Sequence, residues 1–462
     1  YAFMNVGTKL IAFIMLPIYT HFMSRGKLGV LTIIDNWTSM LTFLIIFGTD
    51  SALSFYYFDT KDEEKKLGYV QNVMYFRLFV VAILALVVFI GGPWITKAFL
   101  GDPRNVTLLY ISIATLFVDT VTVVVLNVMR FDFKTKKVVI YTVGKMLLMA
   151  IFSYFFLKYY IKTAEGILLG RLVGFTIIFV LLFMSSAKYL KPKINMDMLK
   201  EILKYATPLV PASLAFWVIA NASTFLLNAF YSKEVVGVYG AATRLAMIIT
   251  LLTSGVQMAW RPYSMTLKDK KDSPHLFSKI YLALLLVGIF GIMAIATIMP
   301  YLIRILGKDY YIAFQYVALI SAATFLNFYY MIISVGLFFT KKTGVISVTF
   351  GIVAVVNTLL NLVLIPPFGI WGTVASYLIS YMIAVIFIFR KSQQVYYVPV
   401  SFGKMAFLFV SMILAVSGMT FVQVHGMNWL YIVGAWLFVF VTVGVSRIDR
   451  DFRSKEYSVE AQ

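Results

Sequence analysis

The feature that most constrains this chain is a succession of apolar runs, each about as long as a membrane helix. A helix needs roughly 20 mostly apolar residues to cross a bilayer, and such runs recur along the whole sequence. Short segments that contain Gly, Pro or charge join them. We therefore predict an all-α polytopic membrane protein with fourteen transmembrane helices. The predicted spans are 2–23, 28–53, 69–91, 106–129, 138–159, 166–187, 206–230, 235–260, 277–303, 311–339, 343–365, 369–389, 402–422 and 428–446.

Composition supports a lipid environment. Hydrophobic residues make up 61% of the chain and charged residues 13%. A soluble domain has roughly 45–50% apolar residues and about 25% charged residues. Aromatic residues reach 17%, as is typical of a protein with aromatic belts at both membrane interfaces. There is no Cys and there are three widely spaced His, so we predict neither a disulfide framework nor a metal site.

The positions of the basic residues predict the orientation. If the N-terminus is cytoplasmic, about two thirds of the 40 Lys and Arg fall in cytoplasmic segments, and the opposite loops hold about a fifth. By the positive-inside rule, both termini are then cytoplasmic. The same bias accounts for the net charge of +20 without a nucleic-acid partner. Because the first residue is Tyr1, we expect a short natural N-terminus to be missing, and the first apolar run lacks a signal-peptide cleavage site.

The sequence contains an internal repeat. Residues 22–25 and Gly29 match residues 230–233 and Gly237 at an offset of 208 positions. The repeat unit holds six helices, so both copies enter the membrane from the same side. This predicts a pseudo-two-fold axis along the membrane normal. The predicted parts are a six-helix lobe (1–193), an amphipathic cytoplasmic linker (194–205), a second six-helix lobe (206–395), and two additional helices with a basic cytoplasmic tail (396–462).

Glycines and prolines predict local features of two kinds. Gly166, Gly170 and Gly174 recur every four residues and share one helix face, which favours close helix packing. Pro17, and Pro208 with Pro211, fall in the first span of each lobe, where proline interrupts a helix. We expect a kink or a hinge at these positions.

Four groups of residues, in order along the whole chain, carry a family resemblance. They are LPIYT at 16–20 with LGV at 28–30, IFGTDSA at 46–52, PLVP at 208–211 with GVY at 237–239, and Asn357 followed by NLVLIPPFGIWG at 361–372. The chain resembles the multidrug/oligosaccharidyl-lipid/polysaccharide (MOP) superfamily, and within it the Wzx-type polysaccharide flippases.

The resemblance implies a function. A flippase of this kind moves undecaprenyl-pyrophosphate-linked oligosaccharide repeat units from the cytoplasmic to the outer leaflet of a bacterial cell membrane, by alternating access through a cationic central cavity. Many relatives carry Asp in the middle of span 7, where this chain has Asn221. The resemblance therefore does not extend to a carboxylate ion site at that position.

Ionisable side chains inside the predicted spans are the candidate functional residues, because charge in hydrocarbon is costly. They are Lys9, Asp35, Asp50, Arg77, Asp119, Lys145, Arg171 and Arg244. The excess of positive charge suits an anionic headgroup, and Arg offers pyrophosphate a planar fork of donors. The predicted substrate-binding residues are Arg244, Arg77, Lys9 and Lys145. No catalytic residue is predicted, and snorkelling to the interface stays an alternative for each cation, above all for Arg171.

Carboxylates in the spans are candidates for energy coupling. Asp119 and Asp35 are the predicted sites for a coupling proton or sodium ion, and the membrane potential is the alternative source of energy. No other cofactor is expected. Asp119 has a second interpretation, namely that it neutralises Arg77 or Lys145, while Asp50 fits a solvated helix end.

Two other transport functions stay open. One is a MATE-like cation-coupled multidrug antiporter, although such proteins usually have twelve spans and an acidic cavity. The other is a peptidoglycan-precursor (lipid II) flippase of the same fold. An enzyme is disfavoured, because the outer loops are short and contain no phosphate-binding glycine loop or nucleophile elbow. The expected partners are an anionic lipid-linked oligosaccharide, membrane lipids and a polysaccharide polymerase or export machinery.

Overall fold

The fold of the chain is all-helical. The structure is a computed structural model that describes residues 2–191, 193–268 and 270–448, and all regular secondary structure in these ranges is helical. This confirms the predicted fold class. The α-helices are α1 (Ala2–Phe22), α2 (Arg25–Ile46), α3 (Thr49–Asp59), α4 (Glu63–Leu100), α5 (Val106–Phe131), α6 (Thr135–Tyr159), α7 (Ala164–Ser186), α8 (Met196–Ala206), α9 (Val210–Phe230), α10 (Lys233–Ala246), α11 (Ile249–Thr266), α12 (Ser273–Leu302), α13 (Phe314–Ile333), α14 (Val335–Phe339), α15 (Gly344–Phe368), α16 (Ile370–Val395), α17 (Phe402–Val424) and α18 (Leu430–Val445).

Each of the fourteen predicted spans coincides with one helix or with two consecutive helices. Within the described residues, 11 helical segments are long and apolar enough to cross a membrane. The number rises to 12 if α10 and α11, which are bent by 50°, form one broken span. Helix α18 is apolar but shorter, so the exact count of fourteen stays a prediction.

Large apolar side chains cover much of the exposed surface, as expected for helices solvated by lipid. On α4, for example, Phe89 is 74% exposed and Trp94 is 73% exposed. In water, so much exposed aromatic surface would favour association. Together with the apolar helices, this surface identifies a multi-pass membrane protein.

The chain folds into two compact units. The first comprises Tyr1–Gly240 and Asn361–Gly369, and the second comprises Ala241–Leu360 and Ile370–Gln462. Buried aliphatic residues of α4 and α5, such as Val73 and Val124, form the core of the first unit. The predicted lobe boundaries stay predictions.

A break between α2 and α3 positions part of the candidate site. Phe47 has a φ of 47° and Gly48 a φ of 71°, a left-handed conformation that glycine adopts readily. A Cβ on Gly48 would also lie 2.8 Å from the carbonyl oxygen of Ala206. The chain therefore restarts as α3 at Thr49, with Asp50 in its first turn, where the helix dipole favours a carboxylate.

The repeat is visible as a reciprocal contact in the first unit. A Cβ on Gly29 of α2 would overlap the carbonyl oxygen of Lys233, and a Cβ on Gly237 of α10 would overlap the carbonyl oxygen of Arg25. The offset of 208 positions converts Gly29 into Gly237 and Arg25 into Lys233. The two halves of the contact are therefore equivalent, as in an isologous interface.

Small residues also bring α6 and α7 together, as predicted. Cβ atoms on Gly170 and Gly174 would overlap backbone atoms of Ser153 and Met149 in α6. Gly166 instead meets the carbonyl oxygen of Ile161 in the preceding loop. Two of the three glycines therefore pack α7 directly against the neighbouring helix.

The expectation that prolines interrupt the seventh span is wrong. Pro208 lies in a 3-10 turn at Thr207–Leu209, and Pro211 lies in the first turn of α9. Proline is tolerated at the start of a helix, because the missing N–H has no intrahelical partner there. Pro17 does lie inside α1.

The predicted linker helix is present as α8. Asn195 caps it by accepting hydrogen bonds from two backbone N–H groups of the first turn. Ile202 on its apolar face is fully buried. On the polar face, Glu201 accepts a hydrogen bond of 2.9 Å from the hydroxyl of Tyr69 in α4. Its cytoplasmic location stays a prediction.

Candidate functional site

Arg77 is held by hydrogen bonds inside the first unit. The side chain is 1% exposed and donates to the hydroxyl of Thr49 from Nε (2.8 Å) and from Nη2 (2.7 Å). Nη2 also donates to a carboxylate oxygen of Asp50 at 2.7 Å. The same oxygen accepts a 2.8 Å hydrogen bond from Nδ2 of Asn127 in α5. The cluster therefore joins α3, α4 and α5.

Lys145 forms a second ion pair, between α5 and α6. Its ammonium donates to Asp119 at 2.6 Å and lies 4.5 Å from the centre of the Phe175 ring in α7. The Lys145 side chain is 8% exposed and that of Asp119 is 25% exposed. This ion pair confirms the alternative interpretation that Asp119 neutralises Lys145.

Arg171 of α7 and Asp35 of α2 form a third pair. The guanidinium donates from Nη1 to a carboxylate oxygen of Asp35 at 2.9 Å. Both side chains are about three quarters buried or more. A carboxylate from another helix therefore holds Arg171, while snorkelling to the interface stays an alternative for it.

The three pairs distribute charge evenly over the first unit. Each helix from α2 to α7 contributes one charged member, in the order Asp35, Asp50, Arg77, Asp119, Lys145 and Arg171. Each carboxylate accepts a hydrogen bond from a cation. Arg77 and Lys145 are therefore paired cations, as expected for buried charge, which is stabilised by a hydrogen-bonded carboxylate.

A small pocket connects two of the three pairs. Its cavity volume is about 30 Å³, and it is lined by Arg77 and Asp119 together with Thr42, Thr120 and aliphatic side chains of α2 and α5. Lys145 contacts the pocket indirectly, through its bond to Asp119. Three of the six predicted site residues therefore meet around one pocket in the first unit.

The other predicted site residues lie elsewhere. Lys9 is half-buried in α1 and belongs to the first unit, and Asp35 pairs with Arg171. Arg244 is half-buried in α10 and belongs to the second unit. Lys9 and Arg244 both interact with other groups.

Sequence reasoning missed Thr49 and Asn127 and the partner of Asp50. Thr49 is fully buried and accepts two of the guanidinium's hydrogen bonds. Asn127 was recognisable as the polar side chain of an apolar stretch of α5, yet nothing in the sequence pairs it with Asp50. Asp50 is a member of an ion pair rather than a merely solvated helix end.

Neutral hydrogen bonds join helices elsewhere. Asn357 of α15 donates to the hydroxyl of Ser380 (3.0 Å) and to the carbonyl oxygen of Ser376 (3.3 Å) in α16. In the first unit, Ser223 of α9 donates to Asn361 at 3.2 Å. Asn357 and Asn361 therefore form hydrogen bonds between neighbouring helices. Asn221 instead donates to the carbonyl oxygen of Trp217 in its own helix.

The part of the chain that the structure describes contains no candidate metal-binding site. No group of three or more His, Asp or Glu side chains is arranged there to hold a metal ion.

Comparisons with known proteins assign the fold and the family. The sequence profile of a family described as "Polysaccharide biosynthesis protein" matches residues 18–273, more than half of the chain. No curated protein sequence matches. Among solved structures, the chain is similar to "Lipid II flippase MurJ, inward closed conformation", with a TM-score of 0.75 and 14% identity over 97% of this chain and 99% of that one.

The fold is also similar to multidrug transporters. An inward-facing MATE family transporter of the MOP superfamily gives a TM-score of 0.59 at 13% identity, over 85% of this chain and 94% of that one. A MATE protein in complex with Br-NRF gives 0.52 at 16% identity, over 85% and 93%.

Fold and comparisons together place the chain in one fold class with a lipid II flippase and with multidrug transporters of the MOP superfamily. The chain belongs to the polysaccharide biosynthesis protein family, the Wzx-like flippases of that superfamily.

Proposed function

We propose that the chain moves undecaprenyl-pyrophosphate-linked oligosaccharide repeat units from the cytoplasmic to the outer leaflet of a bacterial cell membrane by alternating access. The observation that carries the proposal is the set of ionisable side chains kept inside membrane helices of a polysaccharide biosynthesis protein. Such residues are expensive in lipid and mark a transport pathway by default. The lipid II flippase with a similar fold acts, by its description, on a lipid-linked sugar.

The substrate requires cations in a wet cleft and a lipid surface for its tail. A pyrophosphate is a strong acceptor that suits Arg and Lys donors. The proposed binding residues are Arg244, Arg77, Lys9 and Lys145. For Lys145, the phosphate oxygens take the place of the Asp119 carboxylate, because both are anionic acceptors of the same hydrogen bond.

Asp119 and Asp35 are the proposed coupling residues. A proton or sodium ion on Asp119 cancels the charge that holds Lys145 at 2.6 Å, and Lys145 is then available to the headgroup. Ion binding and substrate binding thereby become linked through one side chain. The membrane potential is the alternative source of energy, since it does work on any net charge that crosses the membrane during transport.

The proposal includes the setting of the protein. Both termini lie in the cytoplasm of a bacterial cell, and the chain receives its substrate at the cytoplasmic leaflet. At the outer leaflet, a polysaccharide polymerase or export machinery takes over the repeat unit.

The decisive test compares Arg244→Ala with Arg390→Ala, an exposed arginine at the C-terminal end of α16. Both variants are expressed in a strain from which this protein is deleted. We expect Arg244→Ala to abolish polymer export, with lipid-linked intermediates accumulating on the cytoplasmic leaflet, because the pyrophosphate loses a bidentate donor. Arg390→Ala should restore export fully.

Immunoblots of membranes confirm that each variant is inserted at the wild-type level. Normal export by well-expressed alanine variants of both Arg244 and Arg77 would refute the site. No accumulation of lipid-linked sugars in the deletion strain would refute the function.

A lipid II flippase is the second candidate, favoured by the fold similarity over 97% of the chain. The same chain is expressed in cells depleted of their own lipid II flippase. Growth of these cells would assign the peptidoglycan precursor as substrate. Lysis, together with restored polymer export in the deletion strain, supports the oligosaccharide.

A further inference from the structure

A second pocket, in the second unit, has the chemistry of a carbohydrate site. Its cavity volume is about 260 Å³, close to the lower end of the roughly 300–1,000 Å³ of small-molecule sites. It is lined by Gln315 of α13, Trp371 of α16, and Ser417, Thr420, Phe421, Val424 and His425 at the end of α17. Among the described residues, no Asp, Glu, Lys or Arg side chain lines it.

Three polar groups of the pocket are available to a ligand. The carboxamide of Gln315, the indole N–H of Trp371 and the hydroxyl of Ser417 make no hydrogen bond with any described residue. The carboxamide alone supplies two donors and an acceptor, and the indole supplies one donor. By contrast, the hydroxyl of Thr420 is already engaged with the carbonyl oxygen of Val416.

Aromatic surface stands beside these polar groups. Trp371 is 38% exposed and Phe421 is 58% exposed. The edge-to-face contact with Tyr316, at 4.9 Å between ring centres, fixes the indole ring. Rigid rings beside uncharged donors and acceptors match a sugar, which offers an apolar C–H face and a rim of hydroxyl groups.

The position of the pocket also suits a glycan. It lies where α13 and α16 begin and α17 ends, so all three helices present the same end of the second unit. Trp371 and Arg390 stand at opposite ends of α16 and are separated by about 28 Å at 1.5 Å per residue. This spans nearly the full hydrocarbon core. With cytoplasmic termini, the basic end of α16 is inside and the pocket opens on the outer side.

We infer that this pocket is a glycan-binding site at the outer face, which holds sugar residues of the translocated substrate. The identity of the substrate rests on the proposed function. The site itself rests on Gln315, Trp371, Ser417 and Phe421. It recognises the sugar, whereas the cations of the first pocket and Arg244 serve the pyrophosphate.

The test uses free glycan, released by mild acid from the lipid-linked intermediates of the deletion strain. Binding to the full chain in lipid nanodiscs is measured by titration calorimetry. We expect Trp371→Ala to weaken binding about tenfold, since stacking and one hydrogen bond are lost. Gln315→Leu, which keeps the size of the side chain, should weaken it about fivefold.

Trp429→Ala is the matched control, because Trp429 lies at the same end of the helices, is exposed and does not line the pocket. It should bind the glycan like the wild-type chain. Trp371→Phe keeps a six-membered aromatic ring near Tyr316 but removes the indole N–H together with the five-membered ring. It therefore tests the hydrogen bond while much of the aromatic packing is kept. A melting curve of each variant verifies folding.

The two proposals fail in different ways. Absence of glycan binding by the wild-type chain, or unchanged binding by folded Trp371→Ala and Gln315→Leu, would overturn the glycan site and leave the flippase intact. Arg244→Ala should bind free glycan normally. If that variant and Arg77→Ala both export polymer normally, the cationic site is wrong while the glycan site stands.

Discussion

At the scale of the residue, pairing decides how Arg77 is to be understood. A guanidinium that is 1% exposed and bonded to Thr49 and Asp50 stabilises the helix packing whether or not it ever meets a substrate. The sequence identified Arg77 as an intramembrane cation but not its partners, because those depend on the break at Gly48 that turns Asp50 toward α4. A substrate-binding role of Arg77 can therefore be separated from its structural role only by replacing Arg77 and Asp50 together.

Arg77→Ala should destabilise the protein by about 3 kcal/mol, because it leaves the partly buried carboxylate of Asp50 without its cation and also leaves a cavity. The double variant Arg77→Met with Asp50→Leu should recover most of this loss, since no charge is then left without its partner. Thermal melting of the purified protein in detergent measures both effects.

Export by the double variant distinguishes the two roles of Arg77. A stable double variant that still fails to export polymer supports substrate binding by Arg77. Restored export would show that Arg77 acts only through its ion pair.

At the scale of the element, sequence periodicity predicts helices well and their interruptions poorly. The apolar runs locate every membrane-length helix because hydrocarbon length and helix rise fix the required number of residues. The break between α2 and α3 was not predicted, although the sequence contains Gly48. At the break, a Cβ on Gly48 would lie 2.8 Å from the carbonyl oxygen of Ala206, and no local sequence pattern reports a tertiary contact of that kind.

Glycine spacing, in contrast, predicted the contact of α6 with α7. Gly170→Ala should lower the amount of folded protein several-fold, because the added methyl group overlaps backbone atoms of Ser153 and forces the helices apart. Gly351→Ala is the matched control, since no atom lies within 4 Å of its Cβ position. It should be neutral or slightly stabilising, as alanine favours the helix. Size-exclusion chromatography of solubilised membranes measures both variants, and equal yields would contradict the packing role of Gly170.

At the scale of the whole molecule, the internal repeat has a physical counterpart in the crossing of α2 and α10. A few matching residues indicate the repeat, and the structure brings those same residues into one contact in the first unit. The sequence predicted equivalence of the two copies but not that they touch, because a repeat offset carries no information on distance.

Gly29→Ala and Gly237→Ala should therefore harm folding to a similar degree. Each places a methyl group on the backbone carbonyl of the equivalent partner residue. Once either substitution has opened the crossing, the second finds no close contact, so the double variant should be less destabilised than the sum of the single ones. Melting temperatures of the three proteins provide the double-mutant cycle, and strict additivity would show that the two glycines act independently.

This reciprocity has a consequence for the origin of the chain. A polypeptide of half the length, with one copy of the motif, already carries both surfaces of the crossing: the glycine and the carbonyl that it meets. Two identical copies can therefore associate through it without any adaptation. Fusion of their genes would preserve the interface, because each half would keep its own copy of the glycine and of the carbonyl.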